Sequence, residues 1–471
     1  MIIYLLVFLS GFCALIYQVL WMKQLGLLFG NTSHAAGATL AAFFAGLACG
    51  SWFWGRYSAR CKKPLRIYAG LELGVAVTAL LYFAVLHGYH FIYPVVYQSV
   101  HSGAWLLLIK FALAMVLIFP PSFCMGGTIP VIGQHSIRTR SKFGSTSALL
   151  YGVNTFGAAL GALLAGFFMP LWFGFRITCF IAIGITLIAA VIAYLAARSS
   201  SAAQVVTAKE PDDGDSPSVK DTVAGLGRDK NHLSLAAIGF MSGFGVLALE
   251  VLWTRMFSLV LENSVYTFAA ILVVVLCCLA LGSLISSVLA RREWSPNLVL
   301  TVLLALSGLA IALTPTVFMQ VTDSFQFLAV KATWGEFVWI IFKKCALTIG
   351  PPALLLGTVF PYVLKTMEPY TTSVGRSLGR LASVNTMGAI FGSLACAFLL
   401  LEVFGMWRSM QIIGGIYLLM AVWKSVLRSR AGLAIAGVSL AGLILSFTLL
   451  DSSQLPTTGA LEGREGEVVL E

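Results

Sequence analysis

At 471 residues, 59% of them hydrophobic and only 10% charged, the chain carries too little charge for a soluble globular protein, in which about a quarter of residues are charged. Its net charge of +11 sits in short loops between apolar runs and forms no basic stripe with interleaved aromatics, which excludes nucleic acid as a partner. The lipid bilayer is the expected partner, and the chain is best measured in spanning helices of about 20 residues each.

The first apolar run, 3–29, has no cleavage site of small residues after a short core and is predicted to be a retained first helix. Five runs of spanning length follow, at 35–57, 66–88, 104–132, 147–171 and 174–196. Residues 197–232 are rich in Ser, Asp, Pro, Gly and Lys and hold too little apolar surface to fold alone, so they are predicted to form a polar linker. Six more runs occupy 233–261, 265–290, 297–319, 337–364, 378–404 and 408–427, and the uncharged stretch at 431–450 is a thirteenth. The expected organisation is all-α and integral to the membrane. A first six-helix repeat covers 1–196, the linker 197–232, a second six-helix repeat 233–427, a thirteenth transmembrane helix 428–450 and a tail 451–471.

Loops after the even-numbered helices hold sixteen lysines and arginines, Arg56, Lys62, Arg138, Lys142, Arg291 and Arg376 among them, against five near the opposite loops. Cytoplasmic loops carry the excess of Lys and Arg, so these loops, the linker and the N-terminus are expected inside and the tail from Asp451 outside.

The two halves repeat each other. With an offset of 232, "GFCALIYQVLW" at 11–21 aligns with "GFGVLALEVLW" at 243–253, and Gly50-Ser51 aligns with Gly282-Ser283. With an offset of 231, "PPSFCMGGTIP" at 120–130 aligns with "PPALLLGTVFP" at 351–361, and "VNTFGAALG" at 153–161 with "VNTMGAIFG" at 384–392. Chance agreement of apolar runs does not bring Pro, Asn and Trp into register, so the chain is an internal duplication. Six helices per half is an even number, and both halves therefore enter from the same face as parallel repeats, an arrangement that places substrate sites between halves at mid-bilayer.

Several polar residues fall inside these runs. Glu250 lies near the middle of its run, and its repeat mate is Gln18. An ionisable group at that depth costs about 2.5–3.5 kcal/mol on insertion scales, so it is expected to face a cavity or a partner, as a cation or proton site or as a hydrogen-bonded packing group. Glu72 lies about one and a half turns from the cytoplasmic end of the third helix, where it reads either as a second cation ligand or as the partner of a loop arginine. Lys110 and Lys344 each follow a tryptophan, Trp105 and Trp339, by five residues. They read as snorkelling interface residues or as charge partners of a cavity carboxylate. Pro120 and Pro121, matched by Pro351 and Pro352, remove helical hydrogen bonds at corresponding places and point to a gate or a fixed kink. Asn154 and Asn385, each followed by glycines at small-xxx-small spacing, read as interhelical glue or as ligand contacts.

The nine cysteines lie mostly within apolar runs and form no CxxC pair, so no metal site is expected. P-loop, GxGxxG, HExxH and GxSxG motifs are absent, which gives no catalytic residue and no cofactor.

The stretches "FLSGFCALIYQVLWMKQLGLLFGNT", "GLACGSWFWGR", "PLRIYAGLELG", "MGGTIPV" and "YGVNTFGAALGALLAGF" resemble the membrane region of bacterial fused transporter/spermidine-synthase-like proteins. In that family a duplicated, major-facilitator-like bundle precedes an aminopropyltransferase domain. The resemblance covers residues 1–450 and implies a bacterial cytoplasmic membrane, and the tail "LEGREGEVVLE" looks like the first strand of such a synthase domain, whose glycine-rich nucleotide loop has no counterpart here. The loop "GRYSARCKKPL" departs from the major-facilitator pattern at Ala59, where an acidic residue is usual. The leading expectation is a transporter-like protein for a small cationic solute such as a polyamine. The rival is a membrane-embedded domain of a spermidine synthase-like enzyme.

Overall fold

The computed structural model of the chain describes residues 1–29, 33–99, 103–199, 219–261, 265–322, 333–425 and 430–449. Within them the chain is helical throughout, as a bilayer demands of any segment whose backbone polar groups must be satisfied without water. The first half comprises α1 (Ile2–Phe29), α2 (Ser33–Ser58), α3 (Pro64–Ser99), α4 (Gly103–Ser136), α5 (Phe143–Phe167) and α6 (Met169–Ser199). The second comprises α7 (Val219–Phe257), α8 (Val265–Leu289), α9 (Pro296–Val321), α10 (Trp334–Met367), α11 (Val374–Ala395) and α12 (Leu401–Ser425), and α13 (Arg430–Leu449) follows. Ten stretches among the described residues are long and apolar enough to cross a membrane, one of them running through α11 and α12 together. Helix α7 starts at Val219, inside the stretch expected to be linker. The last proline before it is Pro217, and nothing from there to the first buried turn forbids helix. The remaining linker residues, 200–218, and the tail, 451–471, lie outside the described residues.

The halves share one packing plan. In the first, α1 packs on α5 and α6, α2 on α4, and α3 on α4 and α6. In the second, α7 packs on α11 and α12, α8 on α10, and α9 on α10 and α12. The seam between halves is made by α2 against α11 and α5 against α8, and α13 rests on α9 and α12.

Glycines set how closely the helices approach. A Cβ on Gly11 would run into the carbonyl of Asn154, and one on Gly243 into that of Asn385. Gly157 and Gly161 meet the carbonyls of Phe8 and Phe12 in the same way, while Gly388 and Gly392 meet those of Phe240 and Phe244. The small-xxx-small pattern thus brings backbone against backbone at α1/α5 and again at α7/α11.

Helical geometry is interrupted at two glycines. Gly174 in α6 has φ 72° and ψ 171°, and Gly405 in α12 has φ 72° and ψ 174°. Backbone in this region is open essentially to glycine alone. The two positions are 231 residues apart, so the kink is itself a repeated feature. Thr178 and Ser409, each four residues further on, donate hydroxyls to the carbonyls of Gly174 and Gly405. The paired prolines, by contrast, leave their helices continuous: α4 runs through Pro120 and Pro121, and α10 through Pro351 and Pro352. The non-helical backbone thus falls at the glycines, and the paired prolines lie within continuous helices.

Candidate functional site

Glu250 occupies the face of α7 that also carries Gly243, the contact point with α11, two turns along. Its side chain is half-buried, and among the described residues its carboxyl has no hydrogen bond or ion pair. The residue lies seven positions from the Phe257 end of its span His232–Phe257, or about 10 Å along the axis, and is closer to the middle of the span than to that end. Gln18 holds the equivalent position on α1 and is half-buried as well. Leu15, one turn before Gln18, and the adjacent Val19 pack against a cluster that includes Leu272 and Val273 of α8, so this side of α1 turns toward the other half. Gln18 thus borders the seam region, while Glu250 lies on the face of α7 that meets α11 within the second half.

Glu72 sits elsewhere. It is 2% exposed inside the first half, on α3 beside the hydroxyls of Ser10 and Tyr68, and its Oε1 has no hydrogen-bond partner. The counterpart in the second repeat is the fully buried Leu304, so Glu72 places a carboxyl where the duplicated architecture otherwise packs a leucine. It lies eight residues from the Pro64 end of its span, toward the end of the bundle opposite Glu250. The two glutamates are not brought together.

Asn154 and Asn385 work between helices within each half. Asn154 Nδ2 donates to the Val7 carbonyl at 3.1 Å, and Asn385 Nδ2 donates to the Gly239 carbonyl at 2.9 Å. These bonds are repeat-equivalent and hold α1 on α5 and α7 on α11. Lys344 Nζ donates to the carbonyl of Val321, the last residue of α9, at 2.8 Å. A cation at a helix C-terminus answers its free carbonyls and its dipole, and Lys344 is thereby spent on α9. Lys110 is half-buried near the corresponding end of α4. Pro120 and Pro351 are exposed while Pro121 and Pro352 are buried, again in matched fashion.

A second cluster, not anticipated from sequence, closes the seam at the end bearing the basic loops. Arg140 Nε donates to the Glu368 carbonyl at 2.8 Å, and the Gly144 N–H donates to the Glu368 carboxylate at 3.3 Å. Lys365 pairs with the same carboxylate at 3.1 Å. Nearby, the Gly375 N–H donates to Gln134 Oε1 at 2.6 Å, and Ser287 Oγ donates to the Ser145 carbonyl at 2.8 Å. Toward the opposite end the halves meet through rings, Phe167 lying 5.7 Å from both Tyr266 and Phe342. The only sequence signal for the polar clasp was an acidic residue, Glu368, in an otherwise basic loop.

Two packed six-helix halves of matching plan, related by duplication and joined at a seam, define the architecture of a membrane transporter. The sequence profile of the Major Facilitator Superfamily matches residues 1–354, and the chain belongs to that superfamily. No curated protein sequence matches it. Among solved structures, the E. coli fucose:proton symporter FucP is similar with a TM-score of 0.55 at 13% identity, covering 90% of this chain and 97% of that one. A bacterial homologue of the iron transporter ferroportin, in an outward-facing state with soaked iron, gives 0.55 at 13% identity over 94% and 98% of the two chains. The human organic anion transporter TETRAN gives 0.53 at 14% identity over 90% and 99%. At such identities the likeness speaks for the fold.

Proposed function

We propose that this protein carries a small organic cation, a polyamine being the leading candidate, across a bacterial cytoplasmic membrane with its N-terminus inside. The observation that carries the reading is Glu250, a half-buried carboxyl at membrane depth with no partner among the described residues. A charge there is tolerated when something compensates it, and a cationic solute or an exchanged proton supplies that compensation. Gln18, on the equivalent helix, offers an amide oxygen to the same ligand, while Glu72 serves as a second carboxyl within the first half. Asn154, Asn385 and the prolines of α4 and α10 support and shape the moving helices. The likeness of the quoted motifs to transporter/spermidine-synthase-like proteins supports the polyamine assignment.

Uptake of radiolabelled spermidine into proteoliposomes tests this. Glu250→Gln removes the charge but places there the amide that the repeat already accommodates at position 18, so the variant is expected to fold. Transport falling to background with an unchanged melting temperature agrees with the proposal, and undiminished transport removes Glu250 from it.

The same motif likeness favours a second reading, in which the bundle is the membrane domain of a spermidine synthase-like enzyme. A glycine-rich Rossmann pattern in the gene beyond the codon for Glu471 would support it, and a stop codon there would remove it.

A further inference from the structure

We propose that a cleft at the basic end of the seam binds a phosphate-bearing anion, as an anionic phospholipid headgroup or as free phosphate, and that the bound anion ties the two halves together. The cleft has a volume of about 680 Å³, within the range of about 300–1,000 Å³ typical of small-molecule sites. Its walls come from both halves: Tyr4 of α1 and Lys142 with Thr146 at the start of α5 on one side, Arg291, Arg292 and Trp294 after α8 with Lys365 of α10 on the other. Among the described residues Glu293 is the single carboxylate on its lining, against four cations.

Lys142, Arg291 and Arg292 are exposed and make no ion pair among the described residues. Three exposed cations without an ion pair therefore line one concave surface from two sides and can attract an anion into it. Two neighbouring guanidinium forks suit the oxygens of a phosphate better than point charges do. The same corner already accepts one oxyanion, since the Glu368 carboxylate of the second half rests on the Gly144 N–H at the start of α5 and on Lys365. A phosphate in the adjoining cleft would repeat that arrangement one step outward.

Trp294, 58% exposed beside the arginines, is the kind of residue that sits at headgroup level. Clusters of Lys and Arg next to helix ends also draw anionic lipids to the membrane surface. Because the cations are exposed, the attraction is screened by salt. An occupant touching Lys142 and Arg291 at once bridges the halves and favours the arrangement in which the basic end is closed.

The experiment has two arms, neither of which reads transport. In the lipid arm, native mass spectrometry measures phosphatidylglycerol against phosphatidylcholine retained from mixed micelles at low salt. We expect a preference on the order of tenfold or more, lost in the triple variant Lys142→Gln/Arg291→Gln/Arg292→Gln and kept in Arg56→Gln/Arg60→Gln, which removes two charges of another loop. In the phosphate arm, melting temperature is compared in sodium phosphate and in sodium chloride of equal ionic strength. A phosphate-specific rise that vanishes in the triple variant identifies free phosphate as the ligand. Arg291→Lys/Arg292→Lys keeps the charge and removes the forks, and partial weakening is expected should the triple variant fold poorly. No preference in either arm, or a preference that the triple variant and the lysine pair both retain, overturns the proposal.

Discussion

Ser51 of α2 donates its hydroxyl to the carbonyl of Gly126 in α4 at 2.8 Å, and that carbonyl is the one whose helical donor is missing because residue 130 is Pro130. The second repeat does the same, with Ser283 donating to Gly357 at 3.4 Å opposite Pro361. A neighbouring helix thus re-satisfies the carbonyls that Pro130 and Pro361 free. Ser51→Ala is expected to cost about 1 kcal/mol of stability by leaving that carbonyl buried and unpaired. Pro130→Ala restores the N–H, so the double variant should recover most of the loss. A thermal-denaturation double-mutant cycle in detergent checks this, and Ser283→Ala should cost less because its bond is longer.

Gly243→Ala is expected to destabilise by about 1–3 kcal/mol, since the added carbon would overlap the Asn385 carbonyl and force α7 off α11. Gly70→Ala and Gly184→Ala, where nothing lies within 4 Å of the new atom, should be neutral or gain up to about 1 kcal/mol from helix propensity. Parallel melting curves of the three variants separate the cases.

Replacing Gly174 or Gly405 by alanine meets no steric neighbour but forces a side chain into backbone that only glycine adopts readily. Each substitution is expected to lower stability by about 1–3 kcal/mol or to shift the start of its helix. Asparagine should not rescue either one, because ψ near 171° and 174° lies outside the left-handed helical region that asparagine tolerates. Urea-dependent fluorescence of purified variants provides the reading.

Glu368 holds Gly144 and Lys365 at once across the basic end of the seam. Glu368→Ala is expected to loosen that end and raise the reactivity of a probe placed there. With the nine native cysteines removed and Ser287→Cys introduced at a buried seam position, maleimide labelling should accelerate severalfold over the parent carrying the same probe. Equal rates would show that the clasp does not govern opening.

Lys344→Met keeps the aliphatic stem and removes the ammonium from the Val321 carbonyl. The expected result is a loss of about 0.5–1.5 kcal/mol in stability with the substrate KM of transport unchanged. A raised KM at normal stability would return Lys344 to the role of charge partner for the solute.

Much of this protein was legible before any fold was known. Run lengths of twenty or more apolar residues specify spanning helices because a bilayer leaves the backbone no other partner. The register of "GFCALIYQVLW" with "GFGVLALEVLW" specifies two equivalent halves because duplicated residues keep duplicated neighbours. The matched bonds of Asn154 and Asn385 were foreshadowed in that alignment, as one of two open readings. That Lys344 binds the end of α9, that Glu72 is enclosed in one half while Glu250 stays half-buried on the α11-facing side of α7, and that Arg140 finds Glu368 across 228 positions of chain were decided only by the tertiary structure. Those outcomes depend on the rotation of each helix about its axis and on how the halves dock, and neither quantity is carried by local pattern.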